Sequence, residues 1–122
     1  MEKLAGQLYE ERSRRQIGDF SITRRVQGYW DKSGTEIDLV LVDDEERTIR
    51  FASCKRAPGR LLADVNNFKE HVGRFLNAMP QYQGWNHLYL GIAPILDAEQ
   101  RNILARHEII PQDLGDLTRD LG

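Results

Sequence analysis

A nearly unbroken apolar run, Glu36-Ile37-Asp38-Leu39-Val40-Leu41-Val42, is followed across the acidic stretch Asp43-Asp44-Glu45-Glu46 by a second β-prone run, Thr48-Ile49-Arg50-Phe51-Ala52-Ser53-Cys54-Lys55. Strands this apolar are covered on both faces, so the pair predicts a central antiparallel hairpin with structure packed above and below it. Asp38 does not belong in such a strand. It carries a carboxylate into an apolar environment, where an unpaired charge is costly, and so it needs a partner or a task. Side chains alternate along a strand, which puts Ser53 and Lys55 on one face and Cys54 on the other. With residues 44–47 as the turn, Asp43 pairs with Thr48 and Asp38 falls opposite Ser53, on the face of Lys55. A buried ion pair between Asp38 and Lys55 accounts for both residues without any chemistry. A carboxylate beside a lysine also suits metal-dependent phosphodiester hydrolysis, in which carboxylates hold the ion and the lysine steadies or activates the nucleophile.

The rest of the chain supplies the layers around this hairpin. Residues 3–16 place Leu4 and Leu8 near helical spacing, with Glu and Arg between them and Gly18-Asp19 as the stop, which predicts an amphipathic helix. Phe20 to Trp30 alternates aromatic and β-branched residues as a strand does, and residues 31–34 turn the chain. From Arg60 to Met79, Leu61, Val65, Phe68, Val72, Phe75, Leu76 and Met79 recur at intervals of three and four, predicting one long helix closed by Pro80. His87 to Ala93 reads as a short apolar strand, and Asp97 to Arg106 as a helix with Asp97 at its N-cap. A small strand at Glu108 to Ile110 and a final short helix over Pro111 to Leu121 follow. The order is helix, three strands, helix, strand, helix, which predicts an α/β (α+β) domain with a mixed central sheet flanked by helices.

With 122 residues and 40% hydrophobic content, the chain is the size of a single domain, 1–122. Its 17 basic and 19 acidic residues give a net charge of -2, without the strong basic excess of a typical nucleic-acid binder. Basic residues do cluster near the N-terminus, at Arg12, Arg14, Arg15, Arg24 and Arg25. The single cysteine, Cys54, excludes an intramolecular disulfide and a multi-cysteine zinc site, and fits a small core residue in a reducing, cytoplasmic setting. No stretch approaches the roughly 20 apolar residues that cross a bilayer, so no membrane association is expected. His71, His87 and His107 lack the spacing of a zinc pair, and there is no glycine-rich phosphate loop with its lysine.

Glu36-Ile37-Asp38 and Ser53-Cys54-Lys55, in this order of elements, resemble the PD-(D/E)XK nuclease superfamily. More narrowly, Trp30, Gly34-Thr35-Glu36-Ile37-Asp38-Leu39-Val40 and Cys54-Lys55 look like the nuclease-like domain at the C-terminus of some prokaryotic AAA-type ATPases. The resemblance implies a restriction-endonuclease-like αβββαβ core, Asp38 as a metal-binding aspartate and Lys55 as the motif lysine. It also implies an acid from the first helix, for which Glu10 is the candidate as a further catalytic and metal-holding residue. Ser53 stands where the second acid of the motif belongs. A neutral hydroxyl is a poor magnesium ligand beside a carboxylate, so catalysis requires compensation, from Glu36 or from an acid on the long helix such as Glu70.

Two functions stay open. One is a nuclease-like domain with an incomplete metal site, acting as a binding or regulatory part of a larger ATPase, with DNA or the ATPase domain as partner and no cofactor. The other is an active magnesium-dependent endonuclease that cuts DNA or RNA, using Asp38, Lys55 and Glu10, with Arg12, Arg15 and Arg56 on the phosphates. A homo-oligomer built on an exposed strand edge is a third expectation.

Overall fold

In the computed structural model, which describes residues 1–16, 22–32, 34–119 and 121, the chain begins with α1 (Glu2–Arg14) and runs through three strands, β1 (Arg24–Trp30), β2 (Glu36–Asp43) and β3 (Thr48–Cys54). Two helices, α2 (Pro58–Ala63) and α3 (Val65–Ala78), and a 3-10 turn at Pro80–Tyr82 lead to β4 (Asn86–Ile92), α4 (Ala98–Arg106), β5 (Ile110–Gln112) and α5 (Leu114–Thr118). Among the described residues the strands form one sheet in sequence order, β1-β2-β3-β4-β5. The first three are antiparallel neighbours, and β4 and β5 join in parallel. Parallel pairing needs a crossover, which α2 and α3 supply before β4 and α4 supplies before β5. This is the α+β arrangement expected from the sequence, and the hairpin register agrees, with Asp43 opposite Thr48.

The acidic stretch makes the β2–β3 turn rather than merely tolerating it. The buried Asp43 carboxylate accepts hydrogen bonds from the N–H groups of Glu45 (3.1 Å) and Glu46 (3.2 Å), and Arg47 takes a left-handed φ of 50° to complete the reversal. Asp44 is bound from β1 by Arg24 Nη2 at 2.8 Å.

Each face of the sheet has its own core. On one face α3 lays Val65, Phe68, Val72 and Phe75 against Val40, Val42, Ile49 and Phe51. On the other, Ala5 and Tyr9 of α1 pack with Leu39, Leu41, Ala52, Cys54 and Leu117. The apolar stripe of α1 is therefore Ala5, Leu8 and Tyr9, while Leu4 is exposed.

Three expectations need correction. The helix predicted over 60–79 is two helices, interrupted at Asp64, although no glycine or proline stands there. The last strand lies at Ile110–Gln112 rather than 108–110, with Pro111 inside it, which an edge strand tolerates because one side needs no N–H donor. The short C-terminal helix covers only Leu114–Thr118. Residues 17–20, where the first helix was expected to stop and the first strand to start, lie outside the described residues.

Strand alternation breaks near the start of β2. Ile37 joins the core beneath α3 together with Val40 and Val42, although strict alternation would place it with Leu39. Its ladder partner Tyr29 packs edge-on against Phe75 of α3, with ring centroids 4.9 Å apart. The β1–β2 ladder omits the step between Tyr29–Ile37 and Gln27–Leu39, where Gly28 has a φ of 68°. Only glycine adopts that conformation freely, and a local irregularity of this kind re-aims the neighbouring side chain. The residue across from Gly28 is Asp38.

Candidate active site

Asp38 is the last position of β2 before the hairpin ladder with β3 begins at Leu39–Ala52. Its Oδ2 accepts a hydrogen bond from the Cys54 N–H at 2.8 Å and another from Lys55 Nζ at 3.0 Å. Lys55 has left the strand, and its own N–H donates to the Ile92 carbonyl of β4 at 2.9 Å, which fixes the base of its side chain. The sequence reading thus placed Asp38 and Lys55 together, and the structure does too.

The interruption of the crossover helix brings in a residue the sequence reading missed. Asp64, between α2 and α3, accepts the Ser53 hydroxyl on Oδ2 at 3.0 Å and the Asn67 amide on Oδ1 at 3.2 Å. Asp64 Oδ2 also lies 4.0 Å from Lys55 Nζ. Although it precedes α3, its carboxylate does not cap that helix. It turns toward the sheet instead, to Ser53 and Lys55. Glu36, Asp38, Ser53, Lys55, Asp64 and Asn67 line a cleft of about 60 Å³. That is room for a small ion and waters, not for a nucleobase.

Partial burial disfavours the Lys55 ammonium, but the hydrogen bond to Asp38 and the negative charges of Asp38 and Asp64 outweigh it, and the lysine titrates above its ordinary value. Lys55 is therefore a cation at neutral pH, shared by two carboxylates. Burial, then the Asp38 charge, push the Cys54 thiol far up, which keeps it protonated and inert on the α1 side of the sheet. Beside the cleft, His71 of α3 accepts the Glu36 N–H on Nδ1 at 2.7 Å, pinning the start of β2 to the helix.

Other residues singled out from the sequence lie elsewhere. Glu10 pairs with Arg25 at 3.2 Å and lines a separate concavity with Gln7, Glu11 and Arg14, so it is not brought to Asp38. Arg12 donates to the Arg119 carbonyl at 2.8 Å and Arg15 to the Leu121 carbonyl at 2.8 Å, tying α1 to the C-terminal segment. Arg56 is exposed immediately beyond Lys55 and borders a second concavity with Glu2, Lys55 and Arg60. Glu70 is paired with Arg74 on the outer side of α3. Among the described residues there is no cluster of three or more His, Cys, Asp or Glu side chains poised around one point. Nor is any helix there long and apolar enough to cross a membrane.

An antiparallel three-strand meander, a helical crossover into a parallel strand and helices on both faces define a nuclease-like, restriction-endonuclease-like fold. A repair endonuclease from Pyrococcus abyssi has this fold. It matches 93% of the chain with a TM-score of 0.53 and 17% identity. The match covers 46% of that protein, so the chain spans about half the length of the structure it resembles, and the likeness is one of fold. No family model and no curated protein matches the sequence.

Proposed function

We propose that this domain is a magnesium-dependent phosphodiesterase of the PD-(D/E)XK type that cuts nucleic acid, with Asp64 as the second acid of its site. The observation that carries this reading is the position of the Asp64 carboxylate, hydrogen-bonded to Ser53 and within 4.0 Å of the lysine that Asp38 also holds. Magnesium is bound through one or two carboxylates with water and phosphate oxygens completing its shell, so two aspartates in a small polar cleft fit it without a third protein ligand. Asp38 and Asp64 would hold the ion, which when bound polarises the phosphate and acidifies a water.

The chain's own groups have distinct tasks. The Cys54 N–H orients the Asp38 carboxylate, and the Ser53 hydroxyl orients Asp64. Lys55 is charged at neutral pH, so it stabilises negative charge developing on the phosphate rather than acting as a base. Before any ion arrives, its ammonium offsets the repulsion between the two carboxylates and keeps the site assembled. Arg56 is placed to meet a neighbouring phosphate.

Incubation with plasmid and single-stranded substrates in magnesium or manganese tests this. Cleavage by wild type that is lost in Asp38→Asn, Asp64→Asn and Lys55→Met is the expected result, and cleavage that survives Asp64→Asn contradicts it. A second reading, a non-catalytic binding or regulatory module of a larger ATPase, is favoured by Ser53 and by the absence of a three-ligand cluster among the described residues. It predicts nucleic-acid or protein binding with no cleavage in any metal.

A further inference from the structure

Trp30 is 72% exposed at the end of β1, an uncommon setting for the largest side chain, whereas Trp85 packs edge-on against Tyr82 with centroids 4.9 Å apart. The ladder places Trp30 directly opposite Glu36, which lines the Asp38 cleft. Glu36 stands two residues before Asp38. A rise of about 3.3 Å per residue and about 5 Å between paired Cα atoms put the Trp30 backbone roughly 8 Å from that of Asp38. The exposed indole therefore stands at the same end of the sheet as the cleft, one strand over. Arg56 and Arg60, both exposed, border the concavity on the far side of Lys55, beyond the end of β3. The strand ends thus present an aromatic surface, an acidic cleft and two guanidinium groups in series.

We infer that Trp30 stacks on an unpaired base next to the phosphate in the cleft, and that the site takes single-stranded or locally unpaired nucleic acid. The inference rests on reading the cleft as the phosphate site. Inside a duplex the faces of each base are covered by its neighbours, so an indole finds a partner only where a base is unstacked. Charge points the same way. With a net charge of -2 and few basic groups at this end, the protein lacks the cationic surface that grips both backbones of a duplex. Stacking adds affinity that does not depend on that surface.

The test measures anisotropy of short labelled strands of DNA and of RNA, of the matching blunt duplex, and of a strand with consecutive abasic sites, all with Ca2+ in place of Mg2+ so that the two carboxylates carry an ion. Trp30→Ala is expected to weaken binding to the base-bearing single strand about 5- to 150-fold, the range measured for one base-aromatic stack. Trp30→Phe should restore most of it, and the abasic strand should bind wild type and Trp30→Ala alike. The DNA and RNA arms identify the sugar. Equal single-strand affinity of wild type and Trp30→Ala overturns the inference, as does an absence of binding to every strand. Parallel cleavage assays separate the two claims. If Trp30→Ala cuts single strands at the wild-type kcat/KM while Asp38→Asn is inert, hydrolysis stands and stacking falls. If binding depends on Trp30 but no metal supports cleavage, stacking stands and hydrolysis falls.

Discussion

Replacing Asp38 with alanine removes two hydrogen bonds of unequal weight, and the structure allows each to be costed. The N–H of Cys54, a residue only 4% exposed, loses its acceptor, and a buried donor left unsatisfied costs about 1–3 kcal/mol. The pair with Lys55 is part-exposed on both sides, at 31% and 30%, and such a pair contributes about 0.2–1 kcal/mol. Asp64, 4.0 Å from Nζ, retains part of the lysine's compensation. The sum is a loss of about 1–4 kcal/mol for Asp38→Ala. Asp38→Asn keeps a carbonyl oxygen for the Cys54 N–H and gives up only the charge, so it should cost about 1 kcal/mol or less. Urea unfolding read by circular dichroism separates them, because with a slope of roughly 1–3 kcal/mol/M the alanine variant's midpoint falls on the order of 1 M. If the two variants lie within about 0.5 kcal/mol of each other, the spread of ordinary surface substitutions, the assignment of Asp38 as the acceptor for Cys54 is refuted.

Lys55 titrates above its ordinary value of 10.5 in the folded protein, so its contribution is fully present below that value and is lost as pH rises through the raised one. Lys55→Met should therefore remove part of the stability decline seen in wild type above pH 10.5, measured by urea midpoints across that range. Gly28→Ala meets no atom within 4 Å, yet forces a side chain onto a φ of 68°, and should destabilise by about 1–2 kcal/mol; a loss near zero would show that β1 can relax there. Phe51→Ala empties a fully buried site beside Phe75 and Tyr89 and should cost about 3–5 kcal/mol in the same assay.

The hairpin was legible because its signals are local. An apolar run, an acidic turn and a second run fix the register once Asp43 pairs with Thr48, and that register carries Asp38 to Lys55. Asp97 as the N-cap of α4 was readable for the same reason. Asp64 was not, because the apolar period runs through it unbroken from Leu61 to Val65 and Phe68. The break comes from tertiary contacts with Ser53 and Lys55, which no helical pattern encodes. The one available signal was an aspartate next to the apolar face, a residue type that favours helix ends. Glu10 misled in the opposite way. It lies on a helix, as the resemblance requires, but α1 packs on the face of the sheet opposite α3, and Glu10 meets Arg25 there. The altered alternation at Asp38 was likewise hidden, since it depends on the positive φ of Gly28 across the ladder.

The most direct measurement is Mn2+ binding followed by electron paramagnetic resonance in wild type, Asp38→Asn, Asp64→Asn and Ser53→Ala, each checked for folding by circular dichroism. If Asp64 stands in for the acid that Ser53 lacks, wild type and Ser53→Ala bind the ion while Asp38→Asn and Asp64→Asn both lose it. Binding in Asp64→Asn equal to wild type would contradict the two-aspartate site.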